Sequence, residues 1–206
     1  MTMRYANDHK DRSRERIISV AARQFRATGS ENVRVADVMK AAGLTHGGFY
    51  KHFSNKDQLL QEAVEAALAQ IAAQLTELAA SRSRGEALKV VIGTYLSEDH
   101  LQHPELGCAL AAMGTEMARM PRGMKLGISK ALDAYAERLD FLMPGQTAGQ
   151  RRAAFLVLFP SMAGCIMAAR AHASKERQKE ILAAGRTFFE QAFCGEGTPA
   201  FLETKG

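Results

Sequence analysis

The 206-residue chain has no tryptophan, only five prolines and only three cysteines. Scarce proline, with no sustained alternation of apolar and polar residues, argues against the all-β classes. The cysteines, Cys108, Cys165 and Cys194, are odd in number and far apart. That spacing argues against a disulfide framework and against a paired-cysteine zinc site, and it predicts a reducing compartment, the cytoplasm. The stretch MTMRYANDHKDRSRERI at the start has no apolar run, so no export signal is expected there. No nucleophile elbow, phosphate-binding glycine loop or paired metal motif occurs. No catalysis, cofactor or metal is therefore expected.

Negative charge is short in one region only. The chain carries a formal net charge of +5, and residues 1–56 hold eleven Lys or Arg against five Asp or Glu. The remaining residues hold sixteen against seventeen, so the first quarter carries all of the excess. A solvated basic face would account for this alone. A polyanion-binding head on a neutral body accounts for it as well.

What the sequence does have is helical periodicity, and it predicts an all-α fold. Ile17, Ala21 and Phe25 share one face of a helix over about 13–28, which Gly29 can end. A short second helix is expected at about 35–42, with Gly43 as its stop. A third is expected at about 46–53, with Phe49 and Phe53 inward. A long fourth follows from Leu59 to about Ala80, capped by Ser54 or Asn55. Polar SRSRG at 81–85 and PGQTAGQ at 144–150 break the chain. Helices are expected at about 86–97, 108–120, 121–143, 150–171 and 175–193, with a loop through EDHLQHPELG. The last dozen residues have little pattern and are expected to fray.

The segment AAGLTHGGFYKHFSNKDQLL, residues 41–60, carries the chemistry. Two short helices around a glycine turn make a helix-turn-helix, whose second helix enters the major groove of DNA. Gly47 and Gly48 each cost a helix roughly 1 kcal/mol relative to alanine. A bare backbone at the first turn lets amides approach phosphate, helped by the positive end of the helix dipole. Thr45 is the expected N-cap. His46 sits where base edges are read. Tyr50 can donate to phosphate, and Lys51 supplies charge or a guanine contact. His52 and Lys56 flank the backbone, and Arg34 can clamp the opposite strand.

This stretch, with RIISVAARQFRATG before it, resembles the TetR/AcrR family of bacterial transcriptional regulators. The spacing Gly43-x3-Gly47-x2-Tyr50-x2-Phe53, then Lys56 and Leu59-Leu60, carries the resemblance. It implies an N-terminal three-helix helix-turn-helix DNA-binding domain over 1–56. It further implies that a long helix joins this to an all-helical ligand-binding and dimerisation domain over 57–206. It also implies that Tyr50 and Lys56 contact phosphates and that Thr45, His46 and Gly47 face the groove. Gly48 departs from the Ser or Thr that many relatives carry, so base reading there is lost or passes to His46 and Lys51. GCALAAMGTEMAR, residues 107–119, resembles one branch of the family more loosely.

Seven of ten methionines fall between 113 and 167, which points to an adaptable apolar effector pocket. The expected lining is Tyr95, Cys108, Met113, Glu116, Met117, Phe141, Phe159 and Met162. An ordinary methionine-containing core accounts for the same pattern, and Glu116 can instead pair with Arg119 or Arg138. Segment 153–169 has no charge. It reads as a helix buried against a second copy, with Phe155, Gly164, Ala168, Phe188 and Phe189 at the dimer interface, not as a membrane span. The expected function is a repressor that binds a near-palindromic operator as a homodimer and is released by a small molecule. Two alternatives stand beside it: a repressor that senses electrophiles or oxidants through Cys108, and a helical adaptor that binds no DNA. His100, His103 and Cys108 as a metal site are weaker still.

Overall fold

A computed structural model describes residues 2–195, with side chains described from residue 10 onward. The C-terminal stretch expected to fray lies outside the described residues. Among them the chain is all-helical: α1 (Thr2–Thr28), α2 (Val35–Ala41), a 3₁₀ helix (His46–Lys51), α3 (Lys56–Ala79), α4 (Arg84–Tyr95) and α5 (Glu98–Gln102). These are followed by α6 (Ala109–Arg119), α7 (Arg122–Arg138), a 3₁₀ turn (Asp140–Leu142), α8 (Ala148–Ala171) and α9 (Lys175–Phe193).

Four differences from the sequence reading have local causes. The first helix begins eleven residues earlier than expected, at Thr2 rather than at about Ser13. The third segment is a short 3₁₀ helix, not an α-helix, because two adjacent glycines weaken the longer hydrogen-bond ladder. The loop over 98–107 contains a short helix, α5, whose first turn is capped by Ser97 Oγ accepting from the His100 amide at 3.1 Å. Capping boxes start α4 and α8 two residues early. The Glu86 carboxylate accepts from the Ser83 amide, and Gln150 Oε1 accepts from the Thr147 amide.

One continuous core runs from the head into the body. In the head, Ile17, Ala21 and Phe25 of α1 bury against Val38, Met39, Phe49, Phe53 and Leu59. Phe49 and Phe53 stack with ring centroids 5.6 Å apart. Arg14 on α1 lies over the Phe53 ring and donates to Glu62 on α3 at 2.7 Å, fixing the head to the long helix. In the body, α7 lies along α3, and α8 packs against α6 and α9. Leu88, Ile92, Leu158, Phe159, Met162 and Ile166 fill that core.

Helix α8 is long and apolar enough to cross a membrane by length and composition, with 44% of its most apolar window buried. Its inner face carries Phe155, Phe159, Met162 and Ile166. Its outer face leaves Leu156, Val157, Pro160, Gly164, Met167 and Ala168 exposed. Phe188 on α9 is exposed as well, whereas Phe189 is buried. Of the five residues expected at a dimer interface, Gly164, Ala168 and Phe188 therefore lie on the outer face. Phe155 and Phe189 do not: one helical step turns a side chain by about 100°, and the core takes them. Phe155 stacks on Phe159 instead, with centroids 4.7 Å apart.

Candidate nucleic-acid interface

Of the residues in 45–51, Phe49 faces the core and most of the others face solvent. Phe49 is buried and holds the 3₁₀ segment to the head, with the Tyr50 ring edge-on against it at 5.3 Å. Thr45, His46, Gly47, Tyr50 and Lys51 are exposed, and Tyr50 is 71% exposed despite its size. Gly48, His52 and Lys56 are half-buried. Thr45 has the extended backbone of an N-cap, but its side chain makes no capping hydrogen bond, so its hydroxyl is free for another acceptor or donor.

Nothing among the described residues requires the two glycines. A methyl group added at Gly47 would meet no atom within 4 Å. One at Gly48 would meet only Met39 Cε and Thr45 Oγ1, at 3.6 and 3.7 Å. Neither residue has a positive φ. Neither packing nor backbone strain therefore gives a reason for glycine at these two positions. Gly43 is different. Its φ of +68° ends α2, a conformation that L-residues rarely adopt.

Beside this segment runs a concavity of about 610 Å³, lined by Lys10 and Ser13 of α1 together with Thr45, Gly48, Lys51 and His52. Lys10 was visible in the sequence only as part of the charge total, since nothing there set it opposite Lys51. His52 Nδ1 is buried without a hydrogen-bond partner. Its pKa is held below the ordinary value by burial first, then by the charges of Lys10, Arg14 and Lys51. The same field that disfavours a proton on His52 attracts a polyanion. Asn55 Oδ1 accepts from the Gln58 amide at 2.8 Å and starts α3, leaving Lys56 in its first turn. Arg34 is exposed, but its Nε donates to Asp37 Oδ2 at 2.9 Å, so it enters any phosphate contact by leaving that exposed pair.

The expected effector residues are not gathered around an open cavity. Tyr95, Cys108, Met113, Met117, Phe159 and Met162 are all buried in the body core. The space beside Met113 and Phe25 is too small for a water molecule. Phe141 stands on the surface, 51% exposed. Glu116 is not paired with Arg119 or Arg138 in any ion pair among the described residues. It reaches the head, where Oε2 accepts from the Ser30 amide at 3.0 Å just past α1. The Cys108 thiol is buried, with the hydroxyls of Tyr95 and Tyr135 also buried and lacking partners. Burial pushes both tyrosines well above their ordinary pKa, and the nearby Cys108 adds to it. His100 Nδ1 faces the Tyr95 carbonyl at 2.6 Å, and Nε2 accepts from the Cys108 amide at 3.1 Å. With both ring nitrogens engaged, His100 is a neutral structural residue and has no lone pair left for a metal.

A family model described as bacterial regulatory proteins, tetR family, matches residues 17–63, the head and its junction with α3. The chain is 33% identical over 64 residues to the HTH-type transcriptional regulator TtgR of Pseudomonas putida, covering 31% of this chain and 30% of that one. It is 28% identical over 68 residues to the uncharacterized HTH-type transcriptional regulator YfiR of Bacillus subtilis, 33% of each. The chain thus spans about a third of the length of the curated relatives it matches. Over the whole fold it is similar to a TetR-family transcriptional regulator from Agrobacterium tumefaciens. That likeness has a TM-score of 0.69 at 17% identity and covers 89% of this chain and 98% of the other.

Proposed function

Since the chain belongs to the TetR/AcrR family of bacterial transcriptional regulators, we propose that it binds a near-palindromic operator as a homodimer and is released by a small molecule bound in its C-terminal domain. The observation that carries the DNA-binding half is the pair of glycines beside exposed Tyr50 and Lys51, with no internal reason for either glycine. In this reading the segment 45–51 lies in the major groove and His46 and Lys51 read base edges. Tyr50 and Lys56 hold phosphates, and Lys10 joins them from α1.

The unpartnered outer face of α8 and α9 supports a second copy. Leu156, Val157 and Met167 of α8 and Phe188 of α9 are exposed apolar side chains, and Gly164 leaves room for close helix approach. Two heads would then meet successive major grooves roughly 34–36 Å apart. The protein acts in the cytoplasm, as a repressor whose effector must favour one arrangement of heads over another.

The test is a mobility shift of the full chain with double-stranded fragments from upstream of its own coding region, followed by a salt series. Binding to a near-symmetric site, with log affinity falling steeply against log salt, is the expected result. A chain that ignores duplex DNA even in dilute buffer would return the reading to a helical adaptor.

A further inference from the structure

Tyr95 of α4 and Tyr135 of α7 are each 3% exposed, and neither hydroxyl has an oxygen or nitrogen partner among the described residues. Both lie in reach of the Cys108 thiol, and Tyr135 acts on Tyr95 as well, so the three groups converge on one spot in the body core. Sulfur is at most a weak acceptor, so two phenols and a thiol meet there with donors to spare and no strong acceptor. Buried polar groups are ordinarily paired, and two unpaired donors in one place are an exception. The walls are aromatic. Phe159 stands edge-on to Tyr95 and Tyr135, with centroids at 6.0 and 5.4 Å, and stacks on Phe155 at 4.7 Å. Arg26 and Arg170, cations in reach of Cys108, are already engaged by backbone carbonyls and faced by Glu105. A buried anion would find no free cation here, whereas a neutral acceptor would satisfy the phenols.

A way in lies one helical turn off. A cavity of about 340 Å³ between the end of α7 and the start of α8 is lined by Ala136, Glu137, Asp140, Ala148, Arg151 and Arg152, and its volume suits a small molecule. Ala136 adjoins Tyr135, and Phe155 stands one turn along α8 from Arg151. Two carboxylates and two guanidiniums balance in this lining, and Arg151 Nε already donates to Asp140 Oδ2 at 2.6 Å. The mouth therefore favours neither sign. The wall between cavity and core is α7, a helix of 17 residues with Ile128, Tyr135 and Ala136 buried. The exposed Arg152–Asp133 pair that joins it to α8 contributes little. A helix held by so few buried side chains is the part of the body that opens at least cost.

We propose that the core around Tyr95, Tyr135 and Cys108 is the effector site, and that it takes a small neutral molecule with an apolar body and a carbonyl acceptor. The two phenol hydroxyls donate to the carbonyl, and the body lies along Phe155 and Phe159 toward the α7–α8 cavity. The proposal rests on reading the chain as an effector-released regulator and gives the ligand of its C-terminal domain a chemistry. Cys108 is the N-cap of α6. The residue before it receives Arg26 from the head, and Glu116 near the other end receives the Ser30 amide. An occupant pressing on Cys108 thus acts on a helix whose two ends hold the head.

Calorimetry on the full chain, with acetophenone and 2-octanone as probes, tests the site without DNA. Ethylbenzene, which has acetophenone's shape without the acceptor, and benzoate, its anionic counterpart, are the controls. At least one ketone is expected to bind at millimolar concentration or below, with both controls about tenfold weaker or worse. Tyr95→Phe and Tyr135→Phe should each weaken ketone binding by about three- to tenfold and leave ethylbenzene unchanged. Both variants should keep or raise the melting temperature, since neither loses an internal hydrogen bond. Ala148→Trp, which fills the α7–α8 cavity from an exposed position, should weaken 2-octanone by a similar factor. Failure of both ketones to bind, ethylbenzene binding as tightly as acetophenone, or unchanged ketone binding by either tyrosine variant overturns the site. So does a lower melting temperature in either, which would mean that the hydroxyl is already satisfied within the folded chain. Binding of 2-octanone untouched by Ala148→Trp overturns the route through the cavity. All of these outcomes leave DNA recognition standing. Ketone binding that leaves the operator complex intact overturns the effector role, and an unliganded chain that ignores operator DNA overturns the reading beneath it.

Discussion

Arg26 on α1 donates through Nη1 to the carbonyl oxygen of Gly107, 2.7 Å away and eighty-one positions further along the chain. Together with the Ser30 amide on Glu116, it ties the DNA-reading head to α6 of the body. The long helix α3 is thus not the sole mechanical link between the two, although it is the covalent one.

Replacing Arg26 by Met keeps most of the buried stem and removes the donors. A hydrogen bond to a charged group contributes roughly 1.5–3 kcal/mol, so for a chain of this size Tm should fall by roughly 3–12 °C. Thermal melting followed by circular dichroism measures it. An unchanged Tm would mean that the tie contributes nothing to the folded state.

Gly107 is fixed by close approach. A methyl group there would sit 2.2 Å from Cδ2 and 2.3 Å from Nε2 of His100. Gly107→Ala should push the imidazole off the Cys108 amide and destabilise the chain by about 1–3 kcal/mol, read as a lower denaturation midpoint in urea.

His100 gives the stability a pH dependence. Burial, the largest cause, lowers its pKa in the folded state; the Tyr95 carbonyl works against that, and Arg170 and Arg26 reinforce it. Between the folded and unfolded pKa the unfolded chain binds more protons. The stabilisation is therefore present above about pH 6.5 and declines as pH falls toward the depressed value. His52 is shifted in the same direction and adds to the slope. Melting between pH 8 and 5 should show the decline, and His100→Gln should flatten part of it. A variant with the wild-type slope would remove His100 from this role.

At the interface, Tyr50→Phe should weaken binding to every duplex alike. His46→Ala should change the ranking of sites in a binding-site selection. Lys51→Ala should reduce the salt slope by about 0.9 for each phosphate that the lysine neutralises. A His46→Ala protein that selects the same sites would shift base reading to Lys51.

On α8, a side chain at Gly164 meets nothing within the protomer. Gly164→Arg and Phe188→Glu should leave the fold intact yet move the sedimentation coefficient to that of a monomer. Operator affinity should drop by about tenfold or more as the paired heads separate. Dimers that survive both substitutions would place the interface elsewhere.

Sequence alone determined the helical class, the inward faces of α1 and α3, a cap at Ser54 or Asn55 and the reading head. Each depends on neighbours within four positions or on a local spacing such as Gly47-Gly48-x-Tyr50, where periodicity and backbone chemistry are sufficient. The 3₁₀ geometry of residues 46–51 and the exchange of Leu156 for Phe155 on the outer face of α8 needed the packed core, because both depend on which side wins burial. The seam between head and body was wholly a tertiary decision. Arg26 and Gly107, and Ser30 and Glu116, lie more than eighty positions apart, and no local pattern encodes contacts that exist only once α6 folds back on α1.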